Sequence, residues 1–143
     1  MSAAAPLIPP AVPSNRWDGP ADPAVRALME QARQLLLAAE CAAHPVDRYS
    51  QAHVAALRAA SAVLAARARP RRRTRPTSAW VLLSAVAPEF AEWSAFFTAT
   101  SATRAAAEAG VHRLVTTRDA DDLVRQAGEF LSLVERAVSG TSR

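Results

Sequence analysis

The chain has 143 residues, half of them hydrophobic, with 17 basic against 13 acidic side chains and one cysteine. That length fits one domain, and a single cysteine excludes an intrachain disulfide framework and fits a reducing compartment. No apolar run approaches the roughly 18 residues needed to span a bilayer, and with only 4 glycines and scattered β-branched residues no sheet can be drawn.

Residues 1–21 carry prolines at 6, 9, 10, 13 and 20 without a helical period, which predicts a disordered Pro-rich arm. The start Met1-Ser2-Ala3-Ala4-Ala5-Pro6 lacks a basic n-region, so no signal peptide is expected. Trp17 is the one large aromatic of the arm, and docking on its own domain would relieve its exposure. Asp22-Pro23 is a helix start, a capping carboxylate followed by proline at the first helical position. Val25, Leu28, Met29, Ala32, Leu35, Leu36 and Ala39 then recur at spacings of three and four, giving one core-facing stripe. This first helix should end near residue 42, ahead of His44-Pro45.

Asp47 is the expected cap of a second helix, with Tyr49, His53, Ala56, Leu57, Ala60, Val63 and Leu64 on one face and mostly alanine elsewhere. Pro70 is expected to end it. Thr77 or Ser78 caps a short third helix over Ala79–Ala87, and Pro88 starts a fourth with Phe90, Trp93, Phe96 and Phe97 as an aromatic stripe. A bend is expected around Thr98–Thr103, and Gly110 is the expected residue just past the helix end. Thr116-Thr117-Arg118-Asp119 opens a fifth helix, whose buried stripe runs from Ala120 through Leu123, Ala127, Phe130 and Val134 to Val138, with Gly140 stopping it. The fold class read from this pattern is all-α: an up-and-down bundle of four to five helices over residues 22–140, preceded by the arm.

Every basic residue other than histidine is arginine, and their placement is uneven. Arg67, Arg69, Arg71, Arg72, Arg73 and Arg75 crowd a stretch with no acid, while the remaining eleven arginines face all thirteen acids. Such a run suits phosphate contact with steep salt dependence. It contains no aromatic on which single-stranded bases could stack, and a solvated connector is the other reading. Cys41 and His44 stand three apart, but two ligands without a second pair do not make a metal site. No glycine-rich phosphate loop, zinc spacing or Ser-His-acid constellation is present, so neither a cofactor nor a metal is expected.

The helix order resembles the HEPN superfamily, and more narrowly the short stand-alone actinobacterial HEPN-like proteins. The likeness is carried by Arg48-Tyr49-Ser50-Gln51-Ala52-His53 and the alanine-rich helix that follows. It is also carried by Arg104 through Gly110, with Asp119-Ala120-Asp121-Asp122-Leu123 and Gly128-Glu129-Phe130-Leu131. The resemblance implies a helical bundle, frequent dimerisation, and association with RNA or nucleotides. Many members are metal-independent ribonucleases that use an arginine and a histidine with four to six residues between them. Arg48 and His53 have that spacing here, but at the opening of the second helix and with Tyr49 after the arginine. Catalytic members carry the motif near the last helices with a polar residue there; in that later region Arg104 and His112 are separated by seven residues.

Under the ribonuclease reading, His53 is the general acid or base and Arg48 clamps the scissile phosphate. Five helical positions rotate about 140°, so the two side chains diverge unless Arg48 lies in the uncoiled first turn. Under the other reading, His53 is a core or interface histidine bonded to a neighbour, and Arg48 pairs with Asp47 or a helix end. Function therefore divides between two classes. One is a cytoplasmic, dimerising HEPN-like domain contacting RNA, an acidic protein or a nucleotide-handling partner, with metal-independent ribonuclease activity left open. The other is a non-catalytic protein-interaction module.

Overall fold

Capping chemistry written into the sequence sets four of the helix ends. The computed structural model describes residues 22–67 and 78–139; the proline-rich arm, the Pro70 stop, most of the arginine run and Gly140 lie outside the described residues. Among the described residues there are five α-helices and no strand. In α1 (Pro23–Cys41), the Asp22 carboxylate accepts from the Ala24 N–H at 2.7 Å, with proline in the first turn. α3 (Ala79–Val86) is capped by Ser78, whose Oγ accepts from the N–H groups of Trp80 and Val81.

α5 (Thr117–Ser139) starts with a reciprocal box. The Asp119 N–H donates to Thr116 Oγ1 at 3.0 Å, and the Thr116 N–H donates to Asp119 Oδ2 at 3.1 Å. α4 (Ala91–Glu108) ends in a Schellman turn: the Gly110 N–H bonds the Ala107 carbonyl, the Val111 N–H bonds the Ala106 carbonyl, and Gly110 sits at φ +117°.

Three boundaries differ from the sequence expectation. α2 (Pro45–Arg67) begins three residues early, because Pro45 fits the first helical position and the Arg48 N–H bonds the His44 carbonyl. Asp47 thus lies in the first turn, where its charge favours the helix dipole without being the cap. Pro88–Phe90 forms a 3-10 turn leading into α4, and α4 runs unbroken through residues 98–103.

The helices alternate in direction. α1 and α4 run opposite to α2 and α5, so the end of α1 and the starts of α2 and α5 share one pole with the end of α4. The main correction concerns α2. Alanines beyond the expected stripe, Ala52, Ala55, Ala59 and Ala62, are fully buried as well, together with Ala56, Ala60 and Val63. α2 is the central helix, packed against α1, α3, α4 and α5. Methyl side chains let four neighbours approach one backbone closely, and alanine loses no rotamer freedom on burial.

The large side chains gather on one side of that axis. Phe97 is fully buried, stacks on Trp80 at 4.9 Å between centroids, and meets Phe130 at 5.3 Å. Trp93 and Phe90 complete the cluster against Phe130.

Candidate functional site

Arg48 projects from the first turns of α2 toward the pole shared with α1 and α5. Its Nε and Nη2 donate to the carbonyls of Ala39 and Glu40 at 3.3 and 3.0 Å, and Nη1 donates to Asp121 Oδ1 at 2.7 Å. The guanidinium thus pairs the Glu40 carbonyl and adds a second donor to the Ala39 carbonyl, which also accepts the Ala42 N–H, and ties the end of α1 to the start of α5.

His53 lies five residues further along and turns the other way. It is 1% exposed, its Nε2 lies 3.0 Å from the Phe97 carbonyl oxygen, and its ring meets Trp80 and Phe97 edge-on at 6.0 and 5.9 Å. A carbonyl only accepts, so Nε2 carries the proton, and the bare Nδ1 finds no partner among the described residues. Burial pushes the imidazole below its ordinary pKa; the Phe97 carbonyl opposes this, and the nearby Arg104 charge adds to it. Arg48 and His53 have no bonding partner in common. The structure does not bring them together.

What faces the same pole between α2 and α4 is a different polar set. Val46, Asp47, Ser50, Gln51, Ala107, Glu108 and His112 line a cleft of about 340 Å³. Ser50 Oγ donates to the Glu108 carboxylate, and Arg104 Nε lies 3.9 Å from the same group. Deeper in, Tyr49 is buried, which raises its hydroxyl pKa, with the Thr103 side chain working against that rise. The Arg104/Glu108 spacing of one helical turn was visible in the sequence; that α2 would face it was not. A larger groove of about 450 Å³ between α1 and α5 holds the Arg33–Glu135 ion pair and none of the sequence-predicted site residues. Among the described residues, no group of three His, Cys, Asp or Glu side chains is placed to hold a metal ion.

Of the arginine run, Arg67 alone is described. It is partly buried at the far end of α2 and donates to the Glu89 carboxylate at 2.7 Å. Burial works to raise the Glu89 carboxyl, but the Arg67 hydrogen bond, a backbone N–H and the Arg67 charge together hold it below its ordinary value. Arg69, Arg71, Arg72, Arg73 and Arg75 lie outside the described residues. Arg48 and Arg67 are 19 positions apart on α2, so these two side chains stand toward opposite ends of the helix, separated by about 28 Å.

Compared with known protein families, residues 39–135 match the HEPN_SAV_6107-like HEPN family model. That span is more than half of the chain. The chain belongs to the HEPN superfamily. No curated protein and no solved structure matches it.

The matched span runs from the end of α1 through most of α5, so the HEPN likeness rests on the central helix and the three helices packed after it. On the HEPN bundle one further surface stands out, where one edge of the α3–α4 apolar set stays exposed. Val81 and Leu82 on α3 are 59% and 37% exposed, and Phe96 on α4 is 36% exposed. Their neighbours in sequence, Trp80, Leu83 and Phe97, are buried. The outward positions of α4 after Glu92 include Ala95, Ala99 and Ala102, and residues 93–103 contain no charged side chain. No helix of the described residues is long and apolar enough to cross a membrane.

Proposed function

We propose that this HEPN bundle is a non-catalytic association module in which Arg48 and His53 serve the fold. One observation carries the reading. The only histidine at ribonuclease-motif spacing from an arginine is sealed behind Trp80 and Phe97, with its protonated nitrogen committed to a backbone carbonyl. A general acid or base must come within hydrogen-bond reach of the atom it serves. A phosphate clamp needs guanidinium N–H groups facing outward, and those of Arg48 are engaged by two carbonyls and Asp121.

Association then falls to exposed groups, of which the apolar outward face of α3 and α4 is the clearest. Cys41 as the only cysteine fits a reducing compartment and is the basis for placing the protein in the cytoplasm. The deciding experiment is a metal-free ribonuclease assay on purified protein, run beside Arg48→Ala and His53→Ala with their far-UV circular dichroism. No cleavage above background is expected. Cleavage by the parent chain that both substitutions abolish, with helicity intact, would overturn the reading.

A second mode of association, contact with RNA or with an acidic protein, is supported by the arginine run. Arg67 is engaged with Glu89, which leaves five arginines at 69–75 without an acid among them. Phosphate contact by that stretch predicts binding that weakens steeply with salt and falls on changing Arg71, Arg72 and Arg73 to alanine. Binding indifferent to both would retire it.

A further inference from the structure

α1 and α5 run antiparallel, so the groove of about 450 Å³ between them is walled by the first turns of α1 and the last turns of α5. Val25, Met29 and Val138 form its floor and are almost wholly buried. Arg26, Arg33 and Arg136 complete most of the lining, so an incoming group meets arginine stems and guanidinium faces over an apolar base. That is a seat for an aromatic ring, since a guanidinium is attracted to the face of an indole. Clefts of roughly 300–1,000 Å³ hold drug-sized molecules, so this one has room for a single indole. The groove opens at the pole where the chain enters α1. Trp17 lies five positions before Asp22, a reach of up to about 17 Å, and Met29 stands about 10 Å along α1 from Asp22. Asp18-Gly19-Pro20, in between, are turn-forming residues that let the chain double back.

We propose that Trp17 docks in this groove and fastens the N-terminal arm against the seam between α1 and α5. The short tether holds the indole at high local concentration beside its seat. Residues 140–143 continue from α5 past the same groove but carry no apolar side chain to fill it. Charge fits the same occupant. Arg33 is taken up by Glu135 and Glu30, whereas Arg136 makes no ion pair with another described residue. The docked segment brings Asp18, the one acid of residues 1–21, to that guanidinium. Arg16, on the other flank of Trp17, has Glu135 in the same lining to offset it. The matched family span begins at residue 39, so the arm and all but the last three residues of α1 lie outside it. The inference is independent of the association reading, which concerns α3 and α4.

The experiment is fluorine NMR on the full chain labelled with 5-fluorotryptophan, with Trp17→Ala assigning the Trp17 signal among the three tryptophans. Broadening by a neutral gadolinium chelate reads the exposure of that ring, and the urea-unfolded chain is the reference for a free one. The Trp17 signal is expected to stand apart from its unfolded position and to broaden several-fold less. Ser132→Tyr puts a ring of its own into the groove from an exposed position of α5, and is expected to return the signal to the unfolded position. Arg136→Glu is expected to weaken docking by up to about fivefold at low salt, and adding Asp18→Arg to restore it. Ser132 and Arg136 are both exposed, so the bundle tolerates these changes, and circular dichroism checks that. A Trp17 ring as accessible as in the unfolded chain overturns the proposal. So does a protected ring whose signal neither Ser132→Tyr nor Arg136→Glu moves, which would seat the indole elsewhere. Ribonuclease activity in the parent would sink the association reading alone, since the Trp17 signal does not depend on it.

Discussion

His53 and Phe97 are joined twice: the histidine Nε2–H donates to the phenylalanine's own carbonyl at 3.0 Å, and the two rings meet edge to face at 5.9 Å. The link spans 44 residues and fastens α2 to the middle of α4. Because burial holds the imidazole below its ordinary pKa, the folded state resists protonation and the unfolded chain does not. Between the lowered folded pKa and the unfolded value near 6.5, the unfolded state binds more protons, so stability rises with pH in that window. The contribution is complete above about pH 6.5 and is lost as pH falls toward the folded value. Urea midpoints are expected to drop between neutral and mildly acidic buffer, and His53→Leu to flatten that drop. An unchanged slope in the variant would assign the acid sensitivity to other groups.

Arg48→Ala is expected to cost about 1–3 kcal/mol, since it strips donors from two carbonyls at the end of α1 as well as breaking an ion pair. Asp121→Ala removes only the half-exposed partner and should cost under about 1 kcal/mol. Equal losses in thermal or urea unfolding would mean the carbonyl contacts contribute nothing.

Phe97→Ala should destabilise the bundle by about 3–5 kcal/mol, because five rings contact this fully buried side chain. Phe96→Ala, next to it but turned outward, is expected to cost roughly 1 kcal/mol as it forfeits only ring contacts with Trp93 and Phe97. Denaturation of the two variants side by side, at concentrations where the chain is monomeric, checks the contrast.

Two glycines should respond with opposite signs. In α5, a methyl group added at Gly128 would meet only Leu36 Cδ2 at 3.7 Å, so Gly128→Ala should stabilise by up to about 1 kcal/mol. Gly110 closes α4 at φ +117° with open space around it, and Gly110→Ala should lose about 1 kcal/mol from backbone strain alone. Melting temperatures that move in the same direction for both would contradict this.

Much of the bundle was legible because helix ends are local chemistry. Asp22-Pro23, Ser78, Gly110 and the Thr116/Asp119 box each act within three residues of themselves, and each appears where its residue type required. The start of α2 was harder, since Pro45 and Asp47 are both good openers and the proline prevailed. The centrality of α2 was not legible. Alanine on every face reads equally well as a bland exterior or as a core under four neighbours, and which one holds depends on packing partners far along the chain. The same limit applies to the site. The 140° turn between Arg48 and His53 was implicit in their spacing, but which helices would receive each side chain was not. Likewise, Ser50 meeting Glu108 is a contact across 58 residues that no local pattern encodes.

The alanine-lined α2 has one more consequence. A bundle strung on a single axle has no half that can stand alone, because each other α-helix packs against it. Denaturation should therefore proceed in one concerted step. Substitutions that enlarge Ala55, Ala59 or Ala62 would wedge apart several helix pairs at once, which leaves this plain stretch of methyl groups the segment least free to drift in sequence.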